Sequence, residues 1–254
     1  MSNDAISNRG TASRSGSAGV VLADRTSLRL SATLLFVGVL FSLLVGFFHP
    51  GREDANNHSA VFAEYAASAN WTAIHLGQFV GIAIIIAGLL VLFFALNVHA
   101  GTPGWAARFG AVSAVVALAL YGVLQAVDGV ALKQTVDAWV RAPEAEKAAR
   151  FASAEAIRWL EWAVRSYYSF MQGLAFVLLA TVIVLTVRPL RPIGYLMGLS
   201  GLTYFVQGWV VGSEGFSASN TVPTLLGYIL IVVWSIWLLI VAWRMQESVE
   251  APAR

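Results

Sequence analysis

The sequence predicts an all-α polytopic membrane protein, a bundle of six transmembrane helices with two helical loops on its outer side. Three observations predict it. The 254 residues are 58% hydrophobic and only 12% charged, about half the charge of a soluble domain. Six windows contain no Asp, Glu, Lys or Arg at all: residues 30–51, 65–107, 109–127, 166–187, 192–213 and 215–243. Each is long enough for a span, which takes about 17–25 residues. Finally, Pro50, Pro103, Pro143, Pro189, Pro192, Pro223 and Pro252 all fall in loops or at helix ends, because a helix interior rejects proline.

The elements follow in order. Residues 1–28 are rich in Ser, Asn, Gly and Arg and too poor in apolar groups to order themselves, which predicts a disordered cytoplasmic tail. The first span, 30–49, is too long for a signal-peptide core and has no small-x-small cleavage pattern, so it reads as uncleaved. Between spans one and two, 53–68 has helical composition, with Val61, Phe62 and Tyr65 spaced to lie on the membrane surface. The second span is 73–97. Its charge-free window holds one crossing, because Asn70, Thr72 and Gly101-Thr102-Pro103-Gly104 make both ends polar. The third, 107–129, meets no breaker before Pro143, which predicts a protrusion to about Val140. A helix then starts at Pro143, a favoured first-turn residue, and can run through Glu144, Arg150 and Glu161 into the fourth span, 164–187. The fifth and sixth are 192–212 and 222–243. Residues 29–245 thus form one membrane domain, and 246–254 a second cytoplasmic tail.

Six crossings put both termini on one side. That side carries nine Arg and four acids, net +5, against seven bases and ten acids, net −3, on the other. The positive-inside rule makes the termini cytoplasmic. Together with an Arg- and Ala-rich composition, this points to a bacterial cytoplasmic (inner) membrane. Trp71, Trp105, Trp139, Trp159, Trp162 and Trp243 fall near the interfaces, where indole is favoured. The bilayer is the expected partner, and no protein partner can be read.

Several chemistries are excluded. No cysteine means no disulfide, thiolate metal site or cysteine nucleophile. Scattered arginines and a net charge of +2 give nucleic-acid binding no support. Phosphate-loop, zinc-protease and serine-hydrolase signatures are missing. Spans one to three do not repeat as four to six, and no span is broken at mid-membrane as transporter sites often are.

Polar residues inside spans are costly and point to function. Gln78, Gln125, Gln172 and Gln207 lie about 8–12 Å below the outer end of spans two to five, at one depth. Each heads a stripe at helical spacing: His75 with Gln78; Tyr121, Gln125 and Asp128; Glu161, Arg165, Tyr168 and Gln172; Tyr204, Gln207 and Glu214. His49 and Tyr228 join the same level. Two readings stand: interhelical glue, each bond contributing about 0.6 kcal/mol, or an outward-facing polar chamber. Gly77/Gly81 and Gly194/Gly198 already permit close helix approach. Asp128 and Arg165 end spans three and four on the same side and are expected to pair. His75 is read as a proton carrier, a capping residue or a metal or haem ligand. A metal set shows no recognisable spacing, a bis-histidine haem would need His49 and His75, and His58 and His99 read as loop residues. The sequence singles out no cofactor and no catalytic residue.

The run Arg188-Pro189-Leu190-Arg191-Pro192-Ile193-Gly194-Tyr195-Leu196, followed by Leu199-Ser200-Gly201-Leu202-Thr203-Tyr204, resembles an uncharacterised family of small bacterial six-helix integral membrane proteins, a domain of unknown function. The span order and the two outer loops are similar as well. The resemblance implies this architecture and nothing catalytic.

Function is ranked accordingly. First comes a non-enzymatic membrane protein whose outer chamber binds or passes a small solute or ion. In it Gln78, Gln125, Gln172 and Gln207 form the wall, and His75, Asp128 and Arg165 the charged mouth. Second is a haem- or metal-bearing redox protein or intramembrane enzyme using His75. Third is a structural or partner subunit in which the glutamines are glue.

Overall fold

A chain in lipid must satisfy its backbone N–H and C=O groups within its own segments, and helices do so. The computed structural model describes residues 25–245. They form α1 (Arg25–Phe47), α2 (His58–Ala67), α3 (Trp71–Leu96), α4 (Gly101–Ala126), a π-helical turn (Val127–Leu132), α5 (Lys133–Arg141), α6 (Glu144–Thr186), α7 (Arg191–Glu214) and α8 (Thr221–Arg244), with no strand among the described residues. Five segments are long and apolar enough to cross a membrane: α1, α3, Gly101–Arg141, α6 and Ala218–Arg244. The chain has the build of a multi-pass helical membrane protein. Large side chains such as Leu44, Phe94, Val112, Leu185 and Val222 face outward, a surface suited to lipid. At 24 residues α7 is also long, but its buried face carries Gly194, Ser200, Gly201, Thr203, Tyr204 and Gln207, which makes it less apolar than the five.

The long helices close a ring. α1 packs on α3, α3 on α4, α4 on α6, α6 on α7, α7 on α8, and α8 returns to α1. At that last seam Arg29 of α1 donates from Nε to the Ala242 carbonyl at 3.2 Å and lies over the Trp243 ring at 4.9 Å. The first and last described helix ends therefore share one end of the ring. Small residues set the crossings. The Ser31 hydroxyl donates to the Gly88 carbonyl at 2.9 Å, and Gly77 and Gly81 face Val45 and Ser42 of α1. Where α6 meets α7, a Cβ on Gly201 would lie 2.7 Å from the Gly173 carbonyl oxygen, and a Cβ on Gly173 equally close to that of Gly201.

Several boundaries move. α1 starts at Arg25 rather than after residue 28, and Leu28 is buried; the two expected tails otherwise fall on 1–24 and 246–254, outside the described residues. α4 starts at Gly101, six residues before the expected third span. α3 ends where Asn97 adopts a left-handed conformation (φ 48°, ψ 40°) and its N–H reaches the Phe94 carbonyl, a conformation Asn tolerates better than most residues. The helix from Glu144 continues to Thr186 without a break, an option that the sequence leaves open.

At the other end of the ring, α2, α5 and the start of α6 form a cap with its own apolar core: Val61, Phe62, Tyr65, Trp71, Leu132, Val136 and Ala154. This corrects the expectation that Val61, Phe62 and Tyr65 lie on the membrane surface. Trp71, expected at the interface, is buried as well. Lys133 joins the cap by donating from Nζ to the Tyr65 and Ala66 carbonyls at 3.1 and 3.0 Å, at the C-terminal end of α2, where cations are favoured. His58 opens α2 and hydrogen-bonds Glu155 at 2.9 Å, so it is not a free loop residue.

Candidate functional site

The site begins at the π-helical turn. Its wider winding disturbs the regular carbonyl ladder, and such turns are frequent at functional positions. Two side chains at the start of α3 serve its carbonyls: Trp71 Nε1 donates to Asp128 O, and Thr72 Oγ1 to Gly129 O, each at 2.9 Å. Gly129 lets the turn touch α3, since a Cβ there would stand 2.5 Å from His75 Cβ. The turn thereby presents Asp128 to His75, with Oδ2 2.9 Å from Nε2. His75 Nδ1 lies 2.8 Å from the Trp71 carbonyl. A carbonyl only accepts, so Nδ1 carries a hydrogen, and Nε2 is the nitrogen that faces the carboxylate. Asp128 Oδ1 is enclosed and has no hydrogen-bond partner.

Rings hold this pair. Trp71 lies 4.4 Å from His75, 5.1 Å from His49 and 3.9 Å from Tyr65, centroid to centroid. His49, in the turn just beyond α1, is 5.2 Å from His75. Burial lowers the His49 pKa below the ordinary imidazole value, more than the nearby Asp128 raises it, and burial pushes the Tyr65 phenol up. Ligand atoms of His49, His75 and Asp128 all lie within 4.8 Å of one another. Next to them Arg158 Nη1 donates to Glu161 Oε2 at 2.6 Å, with both residues 2% exposed. The Arg158 guanidinium lies 4.9 Å from the Phe216 ring centroid and 5.6 Å from that of Tyr65.

His49, Asp128, Arg158 and Glu161 border a cavity of about 390 Å³ whose wall also includes Glu53, Glu64, Gln78, Tyr121, Gln125 and Arg165, while His75 stands behind Asp128 and lines neither this cavity nor the next. A second cavity, about 300 Å³, shares Gly46, Gln78, Tyr121, Arg165 and Tyr228 with the first and adds Tyr168, Tyr204 and aliphatic side chains. The shared residues put the two side by side, a charged cavity under the cap and a tyrosine-lined one inside the ring. Arg165 stands on the wall common to both, 5.3 Å from the Tyr168 ring centroid. Its Nε is enclosed without a hydrogen-bond partner. Among the described residues no carboxylate pairs with it.

The sequence-derived set is thus only partly brought together. His75 and Asp128 meet; Gln78, Gln125, Asp128 and Arg165 share one cavity wall. Gln172 and Gln207 line neither cavity: the Gln172 amide is buried with both polar atoms unpartnered, and Gln207 Nε2 donates to the Pro223 carbonyl of α8 at 3.3 Å. No hydrogen bond joins one of the four glutamines to another among the described residues. The expected Asp128 to Arg165 pair does not form, because Asp128 is taken by His75 and Arg165 turns to the tyrosines. Sequence reasoning missed the Arg158 to Glu161 pair, although an i, i+3 spacing of opposite charges signals it. It also missed the π-helical turn and the closing of His49 on Asp128, for which the sequence holds no local signal.

Comparisons with protein families, with curated proteins and with solved structures each return no match.

Proposed function

We propose that this protein is a six-span membrane protein of the bacterial cytoplasmic membrane that binds or passes a small anionic solute through the chamber under its cap. The carrying observation is Arg165. A guanidinium on the wall shared by two adjacent cavities, with no carboxylate partner among the described residues and an unpartnered Nε, is an uncompensated charge, which is expensive away from bulk water. A carboxylate or phosphate group would offset it in bidentate fashion, with Tyr121, Tyr168, Tyr204, Tyr228 and Gln78 supplying further hydrogen bonds. The aliphatic floor at Val39, Ile82 and Ile231 suits a short apolar tail on the anion. Asp128 then stands in the wall of the mouth with His75 behind it, and Gln172 and Gln207 revert to helix packing.

The span that brings the count to six is α7, fifth in chain order. Its outward residues Tyr195, Leu199, Leu202, Val206 and Trp209 recur at steps of four, three, four and three, an apolar stripe that suits lipid. Positive-inside counting then puts the Arg25 and Arg244 end in the cytoplasm and the cap outside. The likeness of residues 188–204 to the uncharacterised six-helix family agrees with this layout.

The test is native mass spectrometry of gently solubilised wild-type and Arg165→Gln protein, with thermal shift against acetate, lactate and inorganic phosphate. Binding predicts a co-purifying anionic mass or a concentration-dependent rise in Tm that Arg165→Gln removes. It also predicts that Arg165→Gln without ligand is no less stable than wild type, since the substitution relieves an uncompensated charge. Equal responses in both proteins, or a variant that merely loses stability, would refute the reading.

A further inference from the structure

We propose that His49, His75 and Asp128 form a binding site for one late first-row divalent metal ion, with Zn2+ the best fit, whose open position faces the chamber. The three residues come from the turn after α1, the first turns of α3 and the π-helical turn, and their ligand atoms lie within 4.8 Å of one another. Bonds of about 2.0–2.2 Å to a tetrahedral Zn2+ place ligand atoms about 3.4 Å apart. The 2.9 Å between His75 Nε2 and Asp128 Oδ2 has only to open slightly, and His49 has to swing inward. It sits outside any helix and is only half-buried, so the movement disturbs no packed element.

The surroundings are those of a ligand set. A metal-binding histidine generally donates its second ring N–H to a carbonyl or carboxylate, which fixes its orientation. His75 does this through Nδ1 to the Trp71 carbonyl at 2.8 Å, which leaves Nε2 for the ion. Asp128 keeps Oδ1 buried and unpartnered, so its carboxylate has unused lone pairs at the centre of the cluster. Trp71 braces both imidazoles and, through its indole N–H, the Asp128 backbone. A bare histidine–aspartate ion pair needs neither a second imidazole nor the free oxygen.

Donor chemistry selects the ion. Two imidazoles and one carboxylate suit Zn2+ and its neighbours rather than Ca2+ or Mg2+, which take oxygen ligands. Three protein ligands leave a fourth position, the arrangement of a site that exchanges water or solute. His49 and Asp128 are both on the wall of the larger cavity, so that position opens onto it. Around it the wall carries Glu53, Glu64 and Glu161 against Arg158 and Arg165, so with Asp128 the acids outnumber the guanidiniums.

The experiment titrates the full-length, chelator-washed protein in detergent with Zn2+ or Co2+ alone. One ion per chain is expected, with Co2+ giving the visible absorption of a four-coordinate site. His49→Ala and Asp128→Asn should each weaken binding by at least about tenfold. His58→Ala, which breaks the separate pair with Glu155, should not. Since His49 is half-buried in a turn, its variant should match the metal-free wild type in Tm, which separates lost ligation from lost folding. No saturable Zn2+ binding, or binding that survives both His49→Ala and Asp128→Asn, overturns the site. Arg165→Gln should retain the metal, so this proposal and the anion reading fail independently.

Discussion

At the scale of single residues, the least expendable groups are the buried charges. Arg158 and Glu161 are as enclosed as core leucines, and removing one leaves the other unpaired. Glu161→Ala or Arg158→Ala should each cost about 3–5 kcal/mol, seen as a large fall in Tm in detergent. Replacing both together by Met and Leu should recover most of that loss. Trp71→Phe keeps much of the ring but removes the indole hydrogen bond to the Asp128 carbonyl, for about 0.5–1.5 kcal/mol. It should also loosen any ion held by His75. How much of this was legible differs by residue. His75, Asp128 and Arg165 stand out in the sequence because polar groups in apolar runs are rare, and Gln78 and Gln125 because they share a depth. Which of them touch was not legible. Asp128 and Arg165 end adjacent spans, yet Asp128 binds a histidine 53 positions away, because the π-helical turn and Gly129 bring it against α3. Gln172 lies one helical step from Tyr168 on the same stripe, but it lines neither cavity and its amide is buried without a partner.

At the scale of elements, close backbone approach governs the crossing of α6 and α7. Gly201→Ala puts a methyl against a carbonyl that cannot step aside. It should destabilise by about 1–3 kcal/mol, whereas Gly46→Ala, with open space around it, should change little. Thermal unfolding of the two variants compares them directly. In the cap, Phe62→Ala should cost about 3–5 kcal/mol, because Phe62 is fully buried among Trp139 and Phe151. A residue lying on a membrane surface would show a far smaller loss. Helix ends were largely readable from proline and charge, and no breaker in the sequence stood in the way of an unbroken α6. The destination of α2 was not. An apolar face on a short helix reads the same whether lipid or protein covers it, and α5 and α6 are the cover.

At the scale of the whole molecule, the six-span layout makes a prediction that needs no knowledge of the solute. The chain has no cysteine, so a single introduced thiol reports its own side of the membrane. Ser153→Cys in the cap and Ser219→Cys between α7 and α8 should react with an impermeant maleimide in intact cells, and Ala100→Cys only after permeabilisation. Ser219→Cys reacting like Ala100→Cys would mean that α7 does not cross. The sequence by itself determined the class, most helix boundaries and the level at which polar groups gather. Those follow from hydropathy, charge and proline, which act residue by residue along a chain that must satisfy its backbone in lipid. Only the tertiary structure decided that the helices close into a ring, that a protein cap roofs one end, that His49, His75 and Asp128 converge while Arg165 has no carboxylate partner among the described residues, and that Gln172 and Gln207 line neither cavity. Those outcomes depend on helix rotation, on glycine-scale clearances and on one widened turn, and no local pattern in the sequence encodes how distant faces meet.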